Sequence, residues 1–189
     1  MNSDTPVDPT DEGFLSQVRN LEEAALSAVF SLYYPAIYRY IYHQIGHECA
    51  AEDLTGEVFQ RLLEALERGA GPERNIQAWL YRVAYNLIVD DSRRQFYRQH
   101  ETLDEQIPHD QPGIEDTAHQ AIMARAAKSA LDRLTQKQRS VITLRFLEGL
   151  SVAETAEVMK LPMSAVKALQ QRGLAGLRRH LKRAVVEEG

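Results

Sequence analysis

Four residues late in the chain, Lys167, Ala168, Gln171 and Arg172, have the types and spacing needed to read base edges in a DNA major groove. Lys and Arg donate to guanine O6 and N7, and Gln pairs with adenine N6 and N7. At about 100° per residue they share one side of a helix that begins near Met163, opposite Val166, Leu169, Gly173, Leu177 and Leu181. Ser164 and Arg178 join them as candidate contacts. Arg178, Arg179, Lys182 and Arg183 suit phosphates or simple solvation of the helix end. A second chemistry is carried by Asp53 and Glu57, four apart beside Leu54, Val58 and Phe59, with Gln60 next. An acidic stripe along an apolar ridge suits a basic, partly apolar partner helix; the plainer reading is solvated surface charge. His43 and His47 are also four apart, with Glu48 and Cys49 close by, a spacing that could hold a metal. No second ligand cluster accompanies them, so they read as incidental histidines at a helix end, and neither metal nor cofactor is expected. The sequence contains no P-loop, GxGxxG, nucleophile elbow or HExxH, which argues against an enzyme.

The elements that must position the basic helix are marked by local signals. Thr135 to Gln138 fits a capping box, in which a hydroxyl at the N-cap and an amide three residues on satisfy free backbone donors. The helix it starts carries Val141, Ile142, Leu144, Arg145 and Phe146, and Gly149 closes it. Ser151 to Glu154 is a second capping box, opening a short helix over about 152–159, with Ala156 placed for close contact. Lys160-Leu161-Pro162 then forces a turn before the basic helix. Two short helices joined by a tight turn read as a helix-turn-helix. The competing reading is an ordinary helical hairpin with a solvated basic face.

The chain has 189 residues, of which 44% are apolar and 26% charged. That suits one large or two small domains. Its net charge of −5 conceals an asymmetry: residues 121–189 hold 13 Lys and Arg against six Asp and Glu, whereas residues 1–120 hold nine against 21. A basic C-terminal third attracts nucleic acid through its local field, whatever the chain total. No apolar run is long enough to span a bilayer, the acidic start lacks the parts of a secretion signal, and the lone Cys49 cannot form an internal disulfide. A soluble cytoplasmic protein without membrane insertion is expected.

The pattern is helical throughout, predicting an all-α fold of two small helical domains joined by an acidic flexible linker. Residues 1–20 read as a disordered acidic tail. From Leu21, apolar residues recur at three- and four-residue steps through Val29, Phe30, Tyr33, Ile37, Ile41 and Ile45, with Pro35 able to kink or divide the stretch and Gly46 ending it. A second helix spans about 50–67, with Leu54, Val58, Leu62 and Leu66 inward. A loop follows at 68–75, then a third helix over about 77–97, with Leu80, Val83, Ala84, Leu87 and Ile88 inside. Residues 99–118, QHETLDEQIPHDQPGIEDTA, hold six acidic residues and no Lys or Arg, and read as the linker. This leaves domains over 21–98 and 119–189.

The stretch Ala51-Glu-Asp-Leu-Thr-Gly-Glu-Val-Phe59 resembles the AEDLxQEVF signature of bacterial sigma factors. Ala78-Trp-Leu-Tyr-Arg-Val-Ala-Tyr-Asn-Leu-Ile-Val-Asp-Asp-Ser-Arg-Arg94 is similar to their AWLYRIARNLxxDxxRR run, and the order continues through Leu134-Thr-Gln-Lys-Gln-Arg-Ser-Val-Ile to the helix-turn-helix. Three motifs in order, covering about residues 21–97 and 119–183, resemble the extracytoplasmic-function (ECF) group. The resemblance implies that the first domain is sigma region 2 and the second sigma region 4. It implies core-polymerase contacts at Asp53, Leu54, Glu57, Val58 and Gln60 with the β′ clamp helices, a further contact with the β flap, and an anti-sigma partner. Gly56 stands where the family has Gln, which removes one contact from that pattern. The −10 promoter element is then read by the 68–77 loop, where Gly69, Gly71 and Asn75 could form a pocket for an unstacked base, and by Arg82, Asn86, Arg93 and Arg94 along the strand. The −35 element falls to Ser164, Lys167, Ala168, Gln171, Arg172 and Arg178. Trp79 has a face suited to stacking, but its spacing with Leu80 and Val83 reads as core. The linker is implied to thread a nucleic-acid path in the polymerase; a passive tether is the simpler reading.

Three further functions fit parts of this sequence. A stand-alone helix-turn-helix regulator needs neither the AEDL nor the WLYR helix, a decoy that holds polymerase or an anti-sigma protein needs no promoter activity, and a metal hydrolase is the most distant. The expected mechanism is a sigma factor that directs promoter recognition, melting and initiation. Because its total charge is unfavourable, it binds DNA weakly when free and becomes competent once core polymerase separates its domains.

Overall fold

The computed structural model describes residues 11–101 and 126–187, with side chains over 11–94 and 126–181. Every element within these residues is helical. They form two compact units, the first built mainly on residues up to Asp91 and the second mainly on those beyond it. Residues 1–10 of the expected tail and 102–118 of the expected linker lie outside the described residues.

The first unit holds α1 (Glu12–Arg19), α2 (Glu23–Ile45), α3 (Glu48–Glu67) and α4 (Ile76–Glu101). Helix α1 corrects the sequence reading, which assigns residues 1–20 to a disordered tail. The Asp11 carboxylate accepts the Phe14 N–H at 2.8 Å, a standard N-cap, and Leu15 and Val18 are completely buried against α2. Two apolar residues three apart suffice to pin a two-turn helix, and the surrounding acidic composition hides them. Helix α2 runs unbroken through Pro35. The proline is exposed, as is Ser31 four residues earlier, so the carbonyl it leaves unpaired faces water. Gly46 ends α2 in the left-handed region at φ 71°, donating its N–H to the Tyr42 carbonyl at 2.8 Å. Helix α3 packs on α2 through Ala51, Thr55, Val58, Leu62 and Leu66.

Helix α4 begins at Asn75, whose side-chain oxygen accepts the Ala78 N–H at 2.9 Å. It continues to Glu101, so residues 99–101 of the expected linker are helical. Its inward face differs in part from the expected one. Leu80, Ala84, Leu87 and Ile88 are buried, but Val83 and Trp79 are only half-buried, and Tyr81 and Tyr85 are buried instead. Tyr81 meets Tyr40 of α2 edge to face, with ring centroids 5.4 Å apart at 85°, the preferred geometry for two aromatic quadrupoles.

The second unit begins with a helix over 126–132, α5, followed by α6 (Gln136–Ile142), a π-helical turn (Thr143–Leu147), α7 (Val152–Met159) and α8 (Met163–Glu187). Both expected capping boxes are present. Thr135 Oγ1 accepts the Gln138 N–H at 3.4 Å while Gln138 accepts the Thr135 N–H at 3.2 Å. Ser151 and Glu154 exchange the same pair of bonds at 3.1 and 2.7 Å. Arg139 ties α5 to α6. Its guanidinium donates to the carbonyls of Leu131 at 3.1 Å and Asp132 at 2.8 Å, where α5 ends. Burial lowers the Arg139 pKa from its ordinary value, opposed by the Asp132 carboxylate at 3.5 Å.

Helix α8 packs on α6 at Gly173 and on the turn before α6 at Gly176. A Cβ on Gly173 would stand 2.9 Å from Ile142 Cγ1, and one on Gly176 would stand 2.7 Å from Leu134 Cδ2. Gly56 in α3 has nothing within 4 Å of that position. Gly173→Val is therefore expected to destabilise the protein by about 2 kcal/mol through overpacking. Gly56→Ala is expected to stabilise it by up to about 1 kcal/mol through helix propensity. Denaturant unfolding of both variants beside the parent protein checks the opposite signs.

Candidate nucleic-acid interface

The helix-turn-helix is set by backbone signals at three points. The π turn closes with Glu148 N–H on the Thr143 carbonyl at 3.0 Å and Leu150 N–H on the Leu144 carbonyl at 2.9 Å. Gly149, at φ 73°, supplies the left-handed residue this closure needs. Between α7 and α8, Lys160 itself adopts φ 52°, a conformation that costs a non-glycine residue roughly 1 kcal/mol. The Leu161 N–H on the Ala156 carbonyl at 3.0 Å holds it there, and the Pro162 carbonyl accepts the Ala165 and Val166 N–H groups at 2.9 and 3.2 Å to open α8.

Arg145, one of the expected α6 residues, has a role that spacing does not reveal. Its guanidinium donates to the Leu150 carbonyl and, at 3.3 Å, to Gln170 Oε1. It thus fastens the approach to α7 onto α8. Charge-assisted bonds of this kind are among the stronger protein hydrogen bonds.

The rotation of α8 follows from its close approach to α6. Val166, Gly173 and Gly176 face inward, so residues about half a turn round the helix from them face outward. Ser164, Lys167, Gln171, Arg172 and Arg178 are all exposed, and Ala168 is half-buried beside them. Ser164, Lys167, Ala168, Gln171, Arg172 and Arg178 thus share one side of α8. Arg172 also donates to the Ala168 carbonyl at 3.3 Å, which steadies it along the helix. Leu169, Leu177 and Leu181 are half-exposed, so the apolar stripe is narrower than its sequence suggests.

In the first unit, Arg82, Asn86 and Arg93 fall along one stripe of α4. Arg82 and Asn86 are half-buried, and Arg93 and Arg94 are exposed. The loop before α4 is shaped by Gly69 at φ 67°, with its N–H on the Leu66 carbonyl at 2.9 Å and the Ala70 N–H on the Ala65 carbonyl at 2.8 Å. Gly71 lies so close to α3 that a Cβ would stand 2.5 Å from Leu66 Cδ2. Gly69 and Gly71 line a surface cleft of about 520 Å³. Asn75 does not line it; its carbonyl oxygen caps α4. The cleft's other side is formed by Glu12 and Arg19 of α1, which sequence reading missed because it leaves α1 in the tail. The signal that could have found α1 is the Asp11 cap ahead of the Leu15–Val18 pair.

On α3, Asp53 and Gln60 are exposed, and Leu54 and Glu57 are half-buried. Glu57 pairs with Arg61 at 2.6 Å and Gln60 donates to Glu64 at 3.0 Å. Val58 is fully buried on the inward face that its spacing predicts, beside Thr55 and Leu62, so its side chain is not on the outer surface of the unit. His47 Nδ1 caps α3 by accepting the Ala50 N–H at 3.3 Å, and among the described residues no three His, Cys, Asp or Glu side chains gather as metal ligands.

Comparison with known proteins agrees with this division. The family Sigma-70 region 2 matches residues 29–96 and Sigma-70, region 4 matches residues 130–179. ECF RNA polymerase sigma factor SigX of Bacillus subtilis is 31% identical over 166 residues, covering 85% of each protein. ECF RNA polymerase sigma factor BldN of Streptomyces coelicolor is 36% identical over 162 residues, 85% of this chain. The chain spans only 61% of the length of BldN. Among solved structures, sigma factor RpoE in complex with the anti-sigma factor NepR from Bartonella quintana aligns with a TM-score of 0.71 at 20% identity, covering 82% of this chain and 96% of that one. CnrH in complex with the cytosolic domain of CnrY aligns with a TM-score of 0.69 at 24% identity, covering 92% and 98%. These two likenesses establish the shared helical fold.

Arg145→Met is expected to lower stability by about 1–3 kcal/mol, because the Leu150 carbonyl and Gln170 lose a charged donor. Chemical denaturation followed by circular dichroism checks it.

Proposed function

Because this chain belongs to the ECF family of RNA polymerase sigma factors, we propose that its second unit reads the −35 element with α8 while its first unit holds the polymerase core and reads the −10 element. The observation that carries the −35 assignment is the outward side of α8, where Ser164, Lys167, Gln171, Arg172 and Arg178 are exposed together opposite a glycine-lined contact. Lys167, Gln171 and Arg172 address base edges, and Arg178 suits phosphate. In the first unit, Asp53, Leu54, Glu57 and Gln60 present acidic and apolar surface to the β′ clamp helices, with a further contact to the β flap from the second unit. The Glu57–Arg61 pair makes Asp53 the stronger contributor of free negative charge. Arg82, Asn86, Arg93 and Arg94 follow the −10 strand along α4, and the 68–75 loop captures one unstacked base. Asn75 serves this capture by fixing the start of α4.

The protein works as a non-enzymatic cytoplasmic subunit, and the chemistry of transcription stays with the polymerase. None of its described helices is long and apolar enough to cross a membrane. An anti-sigma factor is the expected regulator, as the similar folds of RpoE with NepR and CnrH with CnrY suggest. The free protein is expected to bind duplex DNA weakly and non-specifically, with affinity falling steeply as salt rises.

In vitro transcription of fragmented genomic DNA with purified bacterial core polymerase tests this reading. Discrete new start sites sharing two upstream motifs are expected only when the protein is added. Gln171→Ala or Arg172→Ala is expected to lower initiation from them by roughly 5- to 100-fold, the worth of one good base contact. Core binding without new starts would instead identify a decoy, and no core binding would sink the proposal.

A further inference from the structure

The cleft between α1 and the 68–75 loop has no assigned role for its α1 side. We propose that α1 is the second wall of the base pocket, and that Arg19 and Glu12 help select which base enters. The inference rests on the proposed capture of an unstacked base by this loop.

Three observations carry it. First, Arg19 is held in a defined position. Its Nε donates to the Leu15 carbonyl at 3.2 Å, and Nη2 pairs with Glu12 Oε1 at 2.6 Å. Helix α1 is in turn anchored by Leu15 and Val18, both fully buried. Such preorganisation lowers the cost of ordering the pair around a ligand. Second, the cleft has room. Its volume of about 520 Å³ lies within the roughly 300–1,000 Å³ usual for ligand pockets. Gly71 keeps the loop against Leu66, where any larger residue would push it away.

Third, the charges around the cleft are balanced. Arg19 and Glu12 line it from α1 and Arg74 and Glu73 from the loop, two cations and two anions. A bare phosphate gains nothing net from such a site. A neutral heterocycle does, because the Watson–Crick edge of a base places donors beside acceptors. Guanidinium groups donate to ring carbonyls and ring nitrogens, and carboxylates accept from exocyclic amino groups. Cytosine, adenine or guanine, whose exocyclic amino group gives the two carboxylates a pair of hydrogens, fits this set better than thymine, which offers them only N3–H.

The test uses the full chain assembled with core polymerase on a promoter obtained by start-site mapping, with each position of both promoter elements varied to all four bases. The parent protein is expected to prefer a base with an amino group at one −10 position by about tenfold. Arg19→Ala and Glu12→Gln are each expected to reduce that preference to below about threefold while leaving every −35 preference unchanged. Glu12 is 79% exposed, so its substitution leaves the fold intact even if Arg19→Ala loosens α1; thermal melting of both variants confirms which case applies. Arg74→Ala separates the two readings. If it flattens the preference while Glu12→Gln and a folded Arg19→Ala do not, the loop captures a base without α1 and the inference is overturned. If none of the three changes any −10 preference, base capture at this loop is wrong and the inference falls with it. A uniform loss at both elements would mark a folding defect and also overturn it.

Discussion

The close contact of α8 with α6 is the constraint on which the second unit depends. At Gly173 a single methyl group on α8 would collide with Ile142 of α6, and at Gly176 one would collide with Leu134 in the turn that leads into α6. Helices normally pack 8–10 Å apart, with the distance set by the side chains between them. Removing those side chains at two positions three apart fixes both the separation and the rotation of α8. Rotation matters most here. A turn of one residue, about 100°, would carry Lys167 and Gln171 away from the accessible side. A steric vacancy on one face of the helix thus decides which polar groups the opposite face presents.

That contact has to be delivered by the chain leading into it. The two capping boxes are each worth on the order of 1 kcal/mol, Gly149 takes up a left-handed conformation without strain, and Lys160 adopts one at a cost of roughly 1 kcal/mol that the surrounding bonds offset. Together they leave the backbone between α6 and α8 few alternatives. Arg145 adds a tertiary tie by spanning the Leu150 carbonyl and Gln170. The exposed face of α8 can therefore be rich in charge and poor in packing, because its orientation is determined elsewhere.

The first unit solves a different problem with the same means. Its core is aromatic and aliphatic, with Tyr40 and Tyr81 in edge-to-face contact, and its surfaces are specialised by what α3 and α4 leave exposed. The outer side of α3 carries Asp53, Glu57 and Gln60, and α4 exposes Arg93 and Arg94 near its end. Burial divides the α3 residues sharply. Val58 lies in the core while its neighbours Glu57 and Gln60 reach solvent.

Much of this was legible in the residue order. Helix positions, the glycine ends, both capping boxes and the outward face of α8 follow from local rules, since hydrogen-bond capping and 3.6-residue periodicity act within a few residues. The misreadings have a common cause. Helix α1 is too short and too acidic for its pattern to stand out, and only the surface of α2 makes Leu15 and Val18 worth burying. Periodicity places Val58 on an inward face while the family motif counts it among the polymerase contacts, and in the fold it is fully buried. The inward turn of Tyr81 and Tyr85 in place of Val83, and the glycine contact at Gly176, depend on shapes brought together from distant parts of the chain. The sequence by itself determined the longer helices, their ends and the chemistry each carries. The tertiary structure alone decided that α1 is worth forming, which side of α4 is buried and which residues line the α1–loop cleft together, because burial and close approach are properties of pairs of surfaces that no single stretch of chain contains.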